Sequence, residues 1–306
     1  MAVPAAGDEG RHRAGAETLW NESYYFDWFA EDGSIGGYVR VGFYPNLGKV
    51  WYWACVVGRD RKLVTVLDHE VALPANNQSL ELRSDGVWAD HNIEAPLAHV
   101  SVSLESFGLE LADPCEVYRD PRGIRVPFGF ELDWETDRAA YLWPPVTPRY
   151  EIPCKVSGEV IVGSQRLEIS GWGQRDHSWG ASRDWWSNRW CWSAGRLSDG
   201  TRWHTAGAFF EDSEWGVAYV LTPDSDDFIE ADVVSVEATY GEEGLATAAR
   251  LRFAGLTLEV EPIAWSPVLL VDDAGREARF PRALAKFTAD DGREGFGWIE
   301  FNQPQI

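Results

Sequence analysis

No stretch of this 306-residue chain approaches the roughly 18 apolar residues that a membrane-spanning helix needs. No GxSxG elbow, Walker loop or strand-to-helix dinucleotide fingerprint occurs. Serine hydrolases of the elbow type, P-loop enzymes and Rossmann dehydrogenases are therefore disfavoured. The four cysteines, Cys55, Cys115, Cys154 and Cys191, lack CxxC spacing and follow no apolar signal segment. Neither a zinc knuckle nor a secreted disulfide framework is indicated, and they read as reduced, mostly buried thiols of a soluble cytoplasmic protein. Lysine is scarce: Lys49, Lys62, Lys155 and Lys286 are the only four among 27 basic side chains, leaving few candidates for a Schiff base. Basic residues are also outnumbered by 49 acidic ones, and a net charge of −22 opposes binding to nucleic acid or to an anionic membrane surface.

What the chain has in plenty is tryptophan. Seven of its 17 fall between Trp172 and Trp203, interleaved with Asp176, His177, Asp184 and several arginines. Large apolar rings mixed with ionisable groups suit a closed site for a greasy substrate or a cationic intermediate.

Period-two alternation recurs along the chain, as in Val39, Val41 and Phe43, in Val100, Val102 and Leu104, and in Phe128, Phe130, Leu132 and Trp134. These are half-buried strands, and no long amphipathic helix interrupts them. Asp-Gly pairs at Asp32-Gly33, Asp85-Gly86, Asp199-Gly200 and Asp291-Gly292 mark hairpin turns. The class is all-β, with meanders closing into barrels or curved sheets. Pro144, Pro145, Pro148 and Pro153 mark a candidate boundary. The expected organisation is a mobile polar tail over residues 1–16, a first domain over 17–143 and a second over 144–306.

If residues 171–179 are extended, Trp172, Gln174, Asp176 and Ser178 point one way, and Gly173, Arg175, His177 and Trp179 the other. Asp176 and His177 then share a cavity only if a bulge intervenes, which Gly171, Gly173 and Gly180 would permit. Burial among tryptophans would keep Asp176 protonated and able to act as an acid. The structural alternative is an ionised Asp176 paired with Arg175, Arg183 or Arg189. Trp190 and Trp192 share a face; His204 is a further, weaker candidate. ESYYFDWF, residues 22–29, lines a pocket or seals a barrel end. The clusters Asp68-His69-Glu70 and Asp90-His91-Asn92 read as polar turns rather than metal ligands.

The runs YEIPCKVSGEVIVG, GWGQRDHSWGASRDWW, WCWSAGRLSDGTRWH and GFGWIEFNQ resemble the carboxy-terminal domain of tandem lipocalin-like proteins. That group includes carotenoid hydratases of the hydroxyneurosporene synthase type, the fungal hydratase of prenylated isoflavonoids, and related Diels-Alderases. ESYYFDW and GYVRVGFYPNLG are similar to the domain that precedes it, so the likeness spans about residues 17–303. The resemblance implies two lipocalin-like β-barrels in tandem. It also implies cofactor-independent hydration, dehydration or cyclisation of an unsaturated, terpenoid-like molecule. It places Asp176 and His177 as the acid–base candidates and Trp179, Trp186 and Trp192 as cation-stabilising or shape-setting walls. Tyr150, from the domain junction, and Glu22, from the first barrel, are polar additions. Two alternatives stand beside this. One is a non-catalytic carrier of a hydrophobic ligand; the other is a glycan-binding protein that uses exposed tryptophans with acids such as Glu131 and Asp133. Whether Trp185 and Trp186 form a lid or a wall, the substrate and the oligomeric state all stay open.

Overall fold

The structure, a computed structural model, describes residues 3–180, 184–209 and 214–304. The first sheet begins with β1 (Asn21–Ala30), β2 (Ile35–Tyr44), β3 (Lys49–Gly58) and β4 (Arg61–Ala72). It continues with β5 (Leu82–Ser84), β6 (Val87–Ala95), β7 (His99–Leu111) and β8 (Ile124–Thr136). β9 (Tyr141–Leu142), β10 (Arg149–Val162) and β11 (Gln165–Gly180) complete it. Its strands run in the order β4-β3-β2-β1-β11-β10-β8-β7-β6-β5, and β4 also pairs with β7, so the path closes into a barrel.

The second sheet holds β12 (Arg189–Leu197), β13 (Arg202–Phe209), β14 (Glu214–Leu221), β15 (Ile229–Ala231) and β16 (Ser235–Tyr240). After these come β17 (Ala246–Phe253), β18 (Leu256–Trp265), β19 (Val268–Val271), β20 (Glu277–Phe280), β21 (Arg282–Ala289) and β22 (Glu294–Pro304). Its order is β15-β14-β13-β12-β22-β21-β18-β17-β16. Helical structure among the described residues is limited to short 3-10 turns, and no helix is long and apolar enough to cross a membrane. The chain is thus nearly all-β, with two large curled sheets. All four Asp-Gly turns carry their glycine in the left-handed region, at φ 64, 82, 96 and 87 for Gly33, Gly86, Gly200 and Gly292.

The sheets change over between Gly180 and Arg189, not at the proline cluster. β10 and β11 pair along their whole length and complete the first barrel, so the boundary expected at residue 144 is displaced. Pro144, Pro145 and Pro148 lie in the connection from β9 to β10. Pro153 is tolerated inside β10 because the ladder to β8 stops one residue away, at Cys154 and Thr136.

Alternation on β1 separates two cores. Tyr24, Phe26 and Trp28 fill the barrel with Val39, Val41 and Trp134, whereas Tyr25 and Phe29 face the second sheet and meet Trp53, Trp185, Trp192 and Trp298. Gly171 and Gly173 mark close approach rather than a bulge. A Cβ there would lie 2.1 Å from Phe29 O and 2.0 Å from Asp27 O, and the β1–β11 register is the same on either side. At that point the Asp27 carboxylate accepts the Gln174 N–H at 2.8 Å. The Asp27 and Trp28 carbonyls accept the indole N–H groups of Trp134 and Trp298, at 2.7 and 3.1 Å. Trp134 belongs to the barrel and Trp298 to the second sheet, so this gap in the ladder ties the two together.

The supposed polar tail is also packed. Ala6–Glu9 form a 3-10 turn and Glu9 is 3% exposed. Its Oε1 accepts from Arg175 Nη1 at 2.8 Å and from Tyr150 OH at 2.9 Å inside the barrel. Asp68-His69-Glu70 and Asp90-His91-Asn92 lie in β4 and β6 rather than in turns, and burial lowers both imidazoles to about 4. Removing the Glu9 carboxylate would strand the buried Arg175 guanidinium. Glu9→Ala is expected to cost about 3–5 kcal/mol of unfolding free energy, measured by urea denaturation.

Candidate active site

The site grows from two adjacent long strands whose side chains alternate between compartments. On β10, Arg149 and Glu151 face the second sheet and Tyr150 faces the barrel interior; on β11, Gln174 and Asp176 face the sheet, and Arg175 and His177 the barrel. The register of β11 against both neighbours is continuous through Asp176 and His177. The expected Asp176–His177 acid–base pair is therefore not formed, because no bulge turns one of them over.

The candidate residues fall into two groups. Glu22, Tyr150 and His177 meet inside the barrel. Glu22 Oε1 lies 3.2 Å from His177 Nε2, and Tyr150 OH lies 3.4 Å from His177 Nδ1. Asp176, Trp192 and His204 gather between the sheets. Trp179 stands at the edge of both, stacked on His12 at 3.9 Å and lining the mouth of the cleft described below. Trp186 is buried elsewhere in the contact, its indole N–H donating to Leu270 O at 3.2 Å. Trp185 donates to Tyr44 OH at 3.2 Å and is 1% exposed, so the pair is packed core rather than lid. Arg183, one of the partners considered for Asp176, lies outside the described residues.

A cleft of about 260 Å³ opens between the sheets, walled by Trp143, Trp190, Trp192 and Trp215, with Arg149, Asp184 and Glu300 as its charged lining. Past Arg149, Trp192 and Glu300 it is backed by a void of about 20 Å³ that also touches Asp176, Arg40 and Arg282. That is room for one water molecule.

Around this void all the charges except Arg40 are paired. Arg149 donates to Asp176 Oδ2 and to Glu151 Oε1, each at 2.7 Å. Glu151 is fully buried and also accepts from Gln174 at 3.0 Å and from the Trp192 indole at 3.4 Å. Burial, opposed by Arg149 and reinforced by the Asp176 charge, pushes its carboxyl up to about 8. Neighbouring His204, 3.5 Å from Glu151 Oε1, is held well below the usual imidazole range by burial and by Arg149. Arg282 bonds Glu300 and lies over the Tyr25 and Tyr38 rings at 4.3 and 4.5 Å. Arg40 stacks on Trp53 at 4.5 Å, with no partner for either terminal nitrogen.

Sequence reasoning missed Arg149, Glu151, Arg282, Glu300 and the cleft tryptophans Trp143 and Trp215. The one available signal was the alternation Arg149-Tyr150-Glu151, two opposite charges sharing a strand face beside the tryptophan run. The tryptophans at residues 185, 186, 192 and 203 are buried rather than displayed as exposed platforms, which counts against the glycan-binding alternative.

Fold and site together define a tandem, lipocalin-like all-β protein with a tryptophan-walled cleft between its two sheets. The chain belongs to the family described as a domain of unknown function, DUF7064, whose model matches residues 5–305. A search of the curated proteins finds no match by sequence. Among solved structures, an AttH candidate from Nitrosomonas europaea is similar with a TM-score of 0.69 at 14% identity, covering 98% of both chains. Kievitone hydratase from Nectria haematococca gives 0.63 at 12% identity, over 94% of this chain and 90% of its own. CghA, solved with Sch210972, gives 0.60 at 12% identity, over 94% and 89%. At these identities the likeness is one of fold, and it is the fold that the sequence resemblance implied.

The raised Glu151 carboxyl sets a sign for stability against pH. The folded chain holds a proton that an unfolded glutamate releases from its ordinary range upward, so stability falls as pH rises from about 4.5 to about 8. Glu151→Gln, which keeps the neutral form, is expected to flatten that fall in urea denaturation series at stepped pH.

Proposed function

We propose that the cleft binds an unsaturated, hydrophobic small molecule of terpenoid-like character and catalyses its hydration, dehydration or cyclisation by side-chain acid–base chemistry. The observation that carries this reading is a buried carboxyl, Glu151, kept protonated near neutral pH directly behind Arg149 and Trp192 in the cleft wall. In the hydration direction Arg149 and Trp192, which separate Glu151 from the cleft, move aside, and the Glu151 proton passes to an alkene carbon and leaves a cation on the adjacent carbon. Water adds there, and its surplus proton returns to the Glu151 carboxylate. The faces of Trp190, Trp192 and Trp215 stabilise the cation by roughly 0.5–2 kcal/mol per good contact. Asp176, ion-paired with Arg149, supplies the negative charge that opposes ionisation of Glu151. The role of acid first read for Asp176 thus passes to Glu151.

A fold shared with kievitone hydratase supports water addition as one member of this reaction class. At about 260 Å³ the cleft lies just under the usual range of small-molecule pockets, which suits a compact ligand or one end of a longer chain. Four free, buried cysteines fit a reducing compartment such as the cytoplasm.

A carrier of the same class of ligand is the second reading. It is favoured by one observation: Arg149 is already bonded to Glu151 and Asp176, and Arg282 to Glu300.

Incubation with a panel of terpenoid and polyene alkenes and alcohols in heavy water, followed by mass spectrometry, separates the two. Enzyme-dependent deuterium on carbon, reduced about 10²–10⁴-fold in Glu151→Gln, is expected of the enzyme. Binding without exchange, unchanged within a few-fold in Glu151→Gln and abolished when the cleft is blocked at Ala206 by Ala206→Trp, is expected of the carrier.

A further inference from the structure

On the other face of β11, inside the barrel, the amino-terminal segment brings His12 to Glu22 and His177. The ligand atoms of these three residues all lie within 4.8 Å of one another. The Glu22 and His177 side chains are 0% and 1% exposed, and His12 is 25% exposed.

The hydrogen bonds around His177 fix which of its nitrogens faces this meeting point with a lone pair. His177 Nδ1 lies 2.7 Å from the Asp8 carbonyl oxygen, which can only accept. The ring proton is therefore on Nδ1. Tyr150 agrees, since its hydroxyl donates to Glu9 Oε1 and so turns a lone pair toward Nδ1 at 3.4 Å. A neutral His177 then presents a bare Nε2 to Glu22 Oε1, itself an acceptor, at 3.2 Å. Two acceptors held together in a buried site need positive charge between them. His12 Nδ1 reaches the same oxygen at 2.7 Å, and its ring is held by stacking on Trp179.

We propose that His12, Glu22 and His177 form a binding site for a divalent transition-metal ion of the zinc class. A proton on His177 Nε2 would join that ring to Glu22 alone; an ion would join Glu22, His177 and His12. The donor set of two imidazoles and a carboxylate matches that preference. A ligating imidazole whose other N–H donates to a backbone carbonyl, as His177 does to Asp8, is the usual support for such a ligand. Arg11 is the competing charge. Its Nε stands 3.7 Å from Glu22 Oε2, and its guanidinium is drawn over Phe43 at 3.8 Å. The His12 backbone N–H also donates to Glu22 Oε1 and Oε2, at 2.8 and 3.1 Å. The Glu9–Arg175 pair neutralises itself nearby. The ion would pin the segment that carries Asp8, Glu9 and His12 into the barrel mouth, on the opposite side of β11 from the cleft, so the site stands or falls independently of the proposed reaction.

The test uses the full chain without an affinity tag, stripped with a chelator and titrated with Zn(II) and with Co(II). Calorimetry, elemental analysis and the visible absorption of bound Co(II) are the readouts. About one equivalent per chain is expected, with a rise in Tm on loading. His12→Ala, at the half-exposed position, is expected to weaken binding at least 10-fold and remove the Tm rise while leaving the circular dichroism of the barrel unchanged. Glu22→Gln should weaken it less than His177→Ala. Absence of stoichiometric binding by the wild-type chain, or binding that His12→Ala and His177→Ala leave unchanged, would overturn the site.

Discussion

Successive residues of a strand face opposite sides, and on β10 and β11 those sides are two different compartments. The pairing of Arg149 to Val162 with Gln165 to Ser178 runs without a register shift. Each buried or half-buried side chain from Arg149 to Glu151 and from Gln174 to His177 is therefore committed either to the barrel interior or to the contact between the sheets. Glu22, Tyr150, Arg175 and His177 become one polar group, and Arg149, Glu151, Gln174 and Asp176 another. The backbone between them keeps them apart.

The contact between the sheets is rich in charge for a buried region. Arg40, Arg202 and Arg282 are nearly inaccessible, as are Glu151 and Asp176, and Arg149 is half-buried at the cleft wall. Charges removed from water need close partners or, as for Arg40, aromatic faces, and arginine suits this better than lysine because its planar group can stack on rings while bonding carboxylates edge-on. Arg149 over Trp143, Arg202 over Trp172 and Arg282 over Tyr25 follow that pattern. The dominance of arginine over lysine in the sequence thus has a structural counterpart. The arrangement leaves one proton in excess at Glu151, which is what gives the cleft wall an acid.

Much of the fold was legible because its causes are local. The Asp-Gly turns, the alternation of Val39 to Tyr44 and the absence of a helical period follow from neighbouring residues alone. The opposed faces of Asp176 and His177 were legible in the same way, and the glycines beside them misled only in suggesting a bulge where they serve close backbone approach to Asp27 and Phe29. The changeover between sheets was not legible. Pro153 looks like a breaker until it is known that β8 has already ended beside it. The packing of residues 8–12 was hidden for a related reason: Asp8, Glu9 and His12 look like solvated polar residues, and their partners Arg175, Tyr150 and His177 lie more than 130 positions away. Glu151 was missed because one acid on an alternating strand looks solvent-facing until the second sheet covers it.

The organic ligand is expected in the cleft between the sheets and not in the barrel interior. A crystal structure of the protein soaked with a prenylated or polyene alcohol tests it most directly. Electron density for the ligand is expected against Trp190, Trp192 and Trp215, with its reactive end toward Arg149. Density inside the barrel, against Tyr24, Tyr150 and His177, with the cleft unoccupied, would contradict it.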